Sequence, residues 1–239
     1  MPPVSPNFLQ CDGFATRAEI PSSPEFSLTT TGALTISAWI NPSVHTFPSS
    51  EGSGYVHWMG KGERDAQEWT FRIYNKRNDE KRHNRISFYV FNPTGGEGIG
   101  SHFDNENLVP GDWIHVTGVA DTERTSIYKN GLFQRCDRYT GTGDSKCHDY
   151  DPSKWVTPAP GNAPVRIGTR DLQSFFMGGI AEVRFWSRGL SDSEISAVAT
   201  GGAVPQDGLV AEFLLNQDIG KDSTGAHDAN VFAGVRKTV

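Results

Sequence analysis

No stretch of this chain approaches the roughly 18 consecutive apolar residues of a membrane-spanning helix, so nothing in it reads as a membrane insertion. Cysteine is scarce. Three in 239 residues make no disulfide framework, and none stands in a C-x-x-C pair, so zinc and dithiol chemistry are not indicated. Basic residues are outnumbered, 22 Lys and Arg against 28 Asp and Glu, for a net charge of −6. That balance argues against nucleic acid or an anionic membrane as partner. The motifs H-E-x-x-H and G-x-S-x-G and the phosphate-binding P-loop are missing. The glycine-rich Thr94–Gly100 lacks P-loop spacing and reads as a turn. Proline in Asn41-Pro42-Ser43 and Asn92-Pro93-Thr94 disqualifies both as glycosylation acceptors. The opening MPPVSPNFLQC has neither the basic nor the apolar region of a secretory leader. The compartment stays open: a chain kept in the cytoplasm, or one that has lost its leader.

What is plentiful points to strands. Phe 14, Trp 6, Tyr 6 and Gly 26 suit pleated sheets and tight turns. All-β sandwiches often run to about 200–250 residues as one unit, so positions 1–239 read as a single domain. Alternation of period two marks individual strands. In the segment 69–75, Trp69, Phe71 and Ile73 form one set against Thr70, Arg72 and Tyr74. In 85–91, Ile86, Phe88 and Val90 stand against Arg85, Ser87, Tyr89 and Phe91. The first set of each is the natural core face. A strand at Tyr55–Lys61 precedes these two, with Tyr55 and His57 facing opposite to Val56 and Trp58; a one-residue slip would exchange the pairs. Cys136–Pro164 is a long irregular insertion.

The stretch 175–199 combines a strand, a turn and a helix. In Ile180–Trp186 the alternation places Ile180, Glu182, Arg184 and Trp186 on one face and Ala181, Val183 and Phe185 on the other. Ser191 and Glu194 form a capping box for a helix at about Ser191–Thr200, with Leu190, Ile195 and Val198 on its apolar side.

These residues resemble the closing signature of laminin-G-like domains, "G-x-I-x-E-V-R-x-[WY]" followed by "R-x-L-S-x-x-E-I". Leu34–Ile40, Gly60-Lys61-Gly62, Trp113–Val119, Ile127–Gly131 and Val165–Thr169 resemble further segments of that family. The resemblance implies an all-β, two-sheet antiparallel jelly-roll sandwich of the concanavalin A-like class. It also implies a structural Ca²⁺ between the first turn and the closing strand, with Asp12 and Glu182 as side-chain ligands. Two departures weigh on that ion: Phe14-Ala15 replaces the usual acidic pair, and Ala181 replaces an aspartate.

The scaffold hosts binders and enzymes alike. If the sheet is concave, as the resemblance implies, His57, Arg72, Tyr74, Tyr89 and Phe91 converge on its open face. Rings stack on the CH faces of sugars, and Arg and His donate to hydroxyls. The insertion offers Asp144, Tyr150 and Trp155 as a wall of the same groove, and Asp149 and Asp151 as oxygen ligands for a cation. The expected function is therefore a lectin-like carbohydrate-binding module with a glycan partner. Two alternatives remain: a polysaccharide lyase or glycoside hydrolase using His57, Tyr89, Arg72 and His102, or a protein-binding adhesion module. The chain lacks E-x-D-x-E, the strand motif of jelly-roll glucanases, which favours binding over hydrolysis. Cys136 and Cys147 are expected to be bridged if the protein meets an oxidising compartment, and Cys11 to be a buried thiol. Oligomeric state is not legible.

Overall fold

The computed structural model describes residues 7–92, 98–143, 146–215 and 218–232, and the backbone of 235–238. Along the chain the strands are β1 (Asn7–Asp12), β2 (Arg17–Ile20), β3 (Ala33–Pro42), β4 (Tyr55–Glu63), β5 (Ala66–Tyr74), β6 (Ile86–Phe91), β7 (Gly98–Phe103), β8 (Ile114–Asp121), β9 (Arg124–Lys129), β10 (Leu132–Arg138), β11 (His148–Asp149), β12 (Val165–Ile167), β13 (Met177–Trp186), β14 (Leu209–Phe213), β15 (Asn230–Phe232) and β16 (Val235–Thr238). One sheet runs β11-β10-β9-β8-β3-β13-β1-β16, with β14 on the far half of β13, and the other runs β15-β2-β12-β4-β5-β6-β7. Every pairing is antiparallel except β10 with β11. The all-β, two-sheet sandwich is thus the observed architecture.

One core lies between the sheets. Trp58, Trp69, Phe71, Ile73, Ile86, Phe88 and Val90 from the second sheet meet Ile36, Ile40, Val116, Ile180, Val183 and Phe185 from the first. Each such side chain contributes on the order of 1.5–3 kcal/mol by leaving water. A smaller cluster sits on the outer side of the first sheet, where α2 (Asp192–Ala199) lays Ile195 and Val198 on Trp186, Tyr128 and Leu190. Both halves of the capping box are formed: the Ser191 hydroxyl accepts from the Glu194 N–H and the Glu194 carboxylate accepts from the Ser191 N–H. One further helical turn, α1 (Leu28–Thr31), precedes β3.

Bulges account for where period two fails. In β13 the register against β3 shifts between Ala181 and Arg184, and Glu182 adopts φ +49°. The extra residue changes the phase, so Ile180 shares the core with Val183 and Phe185 instead of sharing a face with Trp186. In β4 a shift between His57 and Met59 puts both Trp58 and Met59 in the core. Upstream of that bulge Val56 and Trp58 face the core and Tyr55 and His57 the open side. Residues 94–97 of the glycine-rich segment lie outside the described residues, and Gly98–Gly100, expected within a turn, open strand β7. The insertion begins later than position 136, because β10 stays paired with β9 to Arg138.

Candidate functional site

The open face of the second sheet is organised in cross-strand rows. His57 on β4 lies opposite Arg72 on β5, Arg72 opposite Ser87 on β6, and Ser87 opposite His102 on β7. The adjacent row holds Gly60, Thr70, Tyr89 and Gly100. Tyr55 and Tyr74 face each other in the row on the other side of His57 and Arg72. Register alone thus brings together His57, Arg72, Tyr74, Tyr89 and His102, scattered over 46 positions of sequence.

Arg72 is the centre of the face. Its guanidinium carbon lies 4.5 Å from the ring centre of Tyr55, 4.9 Å from Tyr89 and 5.3 Å from Phe91, within cation–π range of each. Its Nε–H donates to Nε2 of His57 at 3.1 Å. Burial lowers the His57 pKa well below the ordinary imidazole value, and the charges of Arg72 and Arg170 push the same way. The ring is therefore neutral. Nε2 accepts, so Nδ1 carries the proton and faces Glu51 Oε1 at 2.7 Å. Ser174 completes the arrangement: its hydroxyl donates to Glu51 at 2.8 Å and accepts from the His57 backbone N–H at 3.1 Å. Both imidazole nitrogens are engaged, so this histidine holds Arg72 in place and has no free nitrogen for proton transfer. Burial and the neighbouring Tyr74 push the Tyr89 phenol up to about 12 against the opposing pull of Arg72 and Arg82. His102 is brought down to about 4 by burial, Arg85 and Arg135.

Glu51, Asp171, Ser174 and Arg170 belong to this site and were not legible in the sequence. They come from the loops before β4 and after β12, which carry no strand periodicity. Arg170 lies across Gly60: a Cβ there would stand 2.7 Å from its Cγ. Its guanidinium pairs with Asp171 and lies 5.7 Å from the Phe91 ring. Ligand atoms of Glu51, His57 and Asp171 all fall within 4.8 Å of one another. A cation does not suit them, because Nδ1 bears a proton and two guanidinium groups adjoin.

The remaining sequence candidates divide. Tyr74 and Phe91 are on the open face but buried, each 1% exposed, and so back the surface instead of forming it. Arg82 donates to the Tyr74 hydroxyl at 2.8 Å. Tyr150 is electrostatically coupled to Tyr89 and to Arg135, Arg82 and Arg85. Its ring is half-buried and packs against the core between the sheets. Trp155 donates its indole N–H to the Tyr150 carbonyl at 3.2 Å. Asp144 lies outside the described residues. Asp151 caps a 3-10 turn by accepting from the Ser153 N–H, and Asp149 pairs with Arg138, so neither is arranged as a cation ligand. Cys136 and Cys147 are bonded, with Cα atoms 4.6 Å apart. Cys11 is unbridged, and burial raises its thiol pKa.

The structure does not bring Asp12 and Glu182 together. Asp12 pairs with Met177, and Glu182 lies five residues further along the same strand, roughly 16 Å away at about 3.3 Å per residue. Asp12 Oδ1 accepts the backbone N–H groups of Phe14, Ala15 and Thr16 at 2.9, 2.9 and 3.0 Å. Burial acts to raise its pKa, but these donors outweigh that and bring it to about 2. Glu182 is buried against Arg184. The Asp12–Glu182 pair therefore does not fit a shared Ca²⁺.

Among the described residues no helix is long and apolar enough to cross a membrane. A laminin G family model, described as the concanavalin A-like lectin/glucanases superfamily, matches residues 13–196. No curated protein matches the chain significantly. Among solved structures, a proposed carbohydrate-binding protein from Bacteroides ovatus superposes with TM-score 0.59 at 18% identity, covering 97% of this chain and 60% of its own. The heptameric SAP-like pentraxin of Limulus polyphemus gives 0.56 at 15%, covering 96% and 94%. The botulinum neurotoxin serotype D binding domain gives 0.52 at 14%, covering 82% and 42%. The chain thus spans less than two thirds of the Bacteroides protein, and at these identities the likeness is one of fold.

Proposed function

The chain belongs to the concanavalin A-like lectin/glucanase superfamily, and we propose that it is a lectin-like module whose glycan ligand lies on the open face of the second sheet. One observation carries this reading: a partly exposed Arg72 enclosed by the rings of Tyr55, Tyr89 and Phe91. Sugars offer flat CH faces and a fringe of hydroxyls. Tyr55 and Tyr89, both partly exposed, supply rings for the former, and Arg72 supplies donors for the latter. His57, Tyr74 and Phe91 hold those three in place from below. The description of the Bacteroides ovatus neighbour as a proposed carbohydrate-binding protein agrees with this assignment. A glycan array probed with the full chain tests it. Binding that falls in Tyr89→Ala and Arg72→Ala is the expected result. Full binding in both variants would move the site elsewhere, and an empty array would overturn the reading.

A further inference from the structure

We infer that the sugar taken by this face is acidic, with its anionic substituent on Arg72 and the charge of the buried Arg170 behind it. The inference rests on the glycan-binding reading above and narrows the class of ligand.

Charge pairing singles out Arg72. The other arginines around the face each contact a carboxylate: Arg82 meets Glu80 at 2.6 Å, Arg85 meets Asp104 at 2.7 Å, Arg135 meets Asp137 at 2.6 Å, and Arg170 meets Asp171. Among the described residues no carboxylate contacts Arg72. Its one hydrogen bond within the described residues goes to an imidazole held neutral by burial. A guanidinium does not shed its proton, so the face presents a positive charge that no described carboxylate touches, with Glu51 set apart from it on the far nitrogen of the neutral His57 ring. Among the described residues none hydrogen-bonds the Nη groups of Arg72, and the residue is partly exposed.

Two buried groups beside it are also short of partners. Ser87, opposite Arg72 in the ladder, is fully buried, and its Oγ has no hydrogen bond. Arg170 is 3% exposed, yet its Nε and Nη1 have none either. A buried donor left unmade costs about 1–3 kcal/mol, and more when charged. Both groups lie on the open side of the sheet, where Arg170 shares the Phe91 ring with Arg72. An anion held on Arg72 gains from the nearby charge of Arg170 in a way a neutral hydroxyl does not. Guanidinium recognises carboxylate and sulfate oxygens through paired, charge-assisted bonds. The surrounding rings keep the local dielectric low, which strengthens such a contact. Hexuronate carboxylates and sugar sulfate esters share this chemistry.

Calorimetry with matched pairs separates the possibilities. Oligogalacturonate is compared with its carboxyl-reduced form, and sulfated dextran oligosaccharide with unsulfated dextran oligosaccharide. The expected result is at least about tenfold tighter binding of one acidic member over its neutral partner, weakening as salt is raised. The pair that shows the preference identifies the anion. Arg72→Gln should abolish the preference in a protein that still unfolds cooperatively, and Arg72→Lys should restore part of it. Arg170→Gln with unchanged affinity would mean that its charge does not reach the anion and would overturn its assignment. Neutral glycans bound as well as their acidic partners, or better, would overturn the inference and leave the glycan-binding reading standing. No binding to any glycan, acidic or neutral, would overturn both. The matched pairs need no variant, so a substitution that fails to fold leaves the comparison intact.

Discussion

The Nε–H of Arg72 donates to Nε2 of His57, 3.1 Å away, and this contact fixes the tautomer of a buried imidazole. With Nε2 accepting, the proton sits on Nδ1 and is directed at Glu51. Imidazole nitrogen chemical shifts should therefore report a single neutral Nδ1–H form from pH 8 down to at least the ordinary imidazole value of 6.5. A ring that titrates near that value, or one protonated on Nε2, would show that Arg72 is not held in this way.

Ring chemistry at position 89 can be separated from its hydroxyl. Tyr89→Phe keeps a face for a sugar to stack on, whereas Tyr89→Ala removes it. Calorimetry on a bound glycan should give a loss on the order of 0.5–1.5 kcal/mol for the alanine variant and little for phenylalanine. Equal losses in the two would assign the contact to the hydroxyl.

His115 makes stability depend on pH. It is fully buried with its ring 5.1 Å from Trp39, and burial, with Arg184 assisting, brings its pKa to about 3. Above the unfolded value of 6.5 both states are neutral and the group makes no difference. Below it the unfolded chain takes up a proton that the folded chain refuses. Stability should then fall as pH drops from 6.5 towards 3, by about 1.4 kcal/mol per pH unit for one such group. His102, brought down to about 4, acts in the same direction down to its own value. Urea unfolding at pH 7, 6 and 5 measures the slope, and His115→Gln should make it shallower if the variant folds.

The Cys136–Cys147 bridge closes a loop 11 residues apart in sequence. In the chain-entropy view such a link is worth about 2–3 kcal/mol. Reduction should lower Tm accordingly, and intact mass after alkylation of the unfolded, unreduced protein should show one modified cysteine, Cys11. Three modified cysteines would show that the bridge is not formed.

At the outer cluster, Ser191→Ala removes the hydroxyl that accepts from Glu194 N–H. The expected loss is about 1 kcal/mol, read from denaturant midpoints at constant m. Trp186→Ala should cost several times that, about 3–5 kcal/mol, since its ring is buried between Tyr128 and the helix.

Most strands could be read in the sequence because their periodicity is local. Trp69, Phe71 and Ile73 declare the β5 core face without reference to anything else, and Ser191 with Glu194 declares the helix start. The errors fall where one extra residue breaks the period. Glu182 at φ +49° reverses the sense of Ile180 relative to Trp186, and nothing in IAEVRFW signals it. Half of the candidate site was legible on the same terms, since Arg72, Tyr89 and His57 alternate with core residues. Glu51, Asp171 and Ser174 were not: Asp171 and Ser174 reach His57 by loop closure across more than a hundred positions, and Glu51 comes from the loop before β4, which carries no strand period. The expected pairing of Asp12 with Glu182 failed for a reason of distance along β13 that no composition of residues reveals.

Gly60 gives the open face a blind spot of atomic size. A methyl group there would stand 2.7 Å from Arg170 Cγ and 2.8 Å from the Thr70 hydroxyl, both under any tolerable separation. The smallest possible substitution would therefore displace a charged side chain without touching its own codon position. Gly60→Ala is in this sense an arginine mutation written on the neighbouring strand: the sheet below it need not unfold, yet the stem of Arg170 would have to move off the position from which its guanidinium meets Asp171 and Phe91.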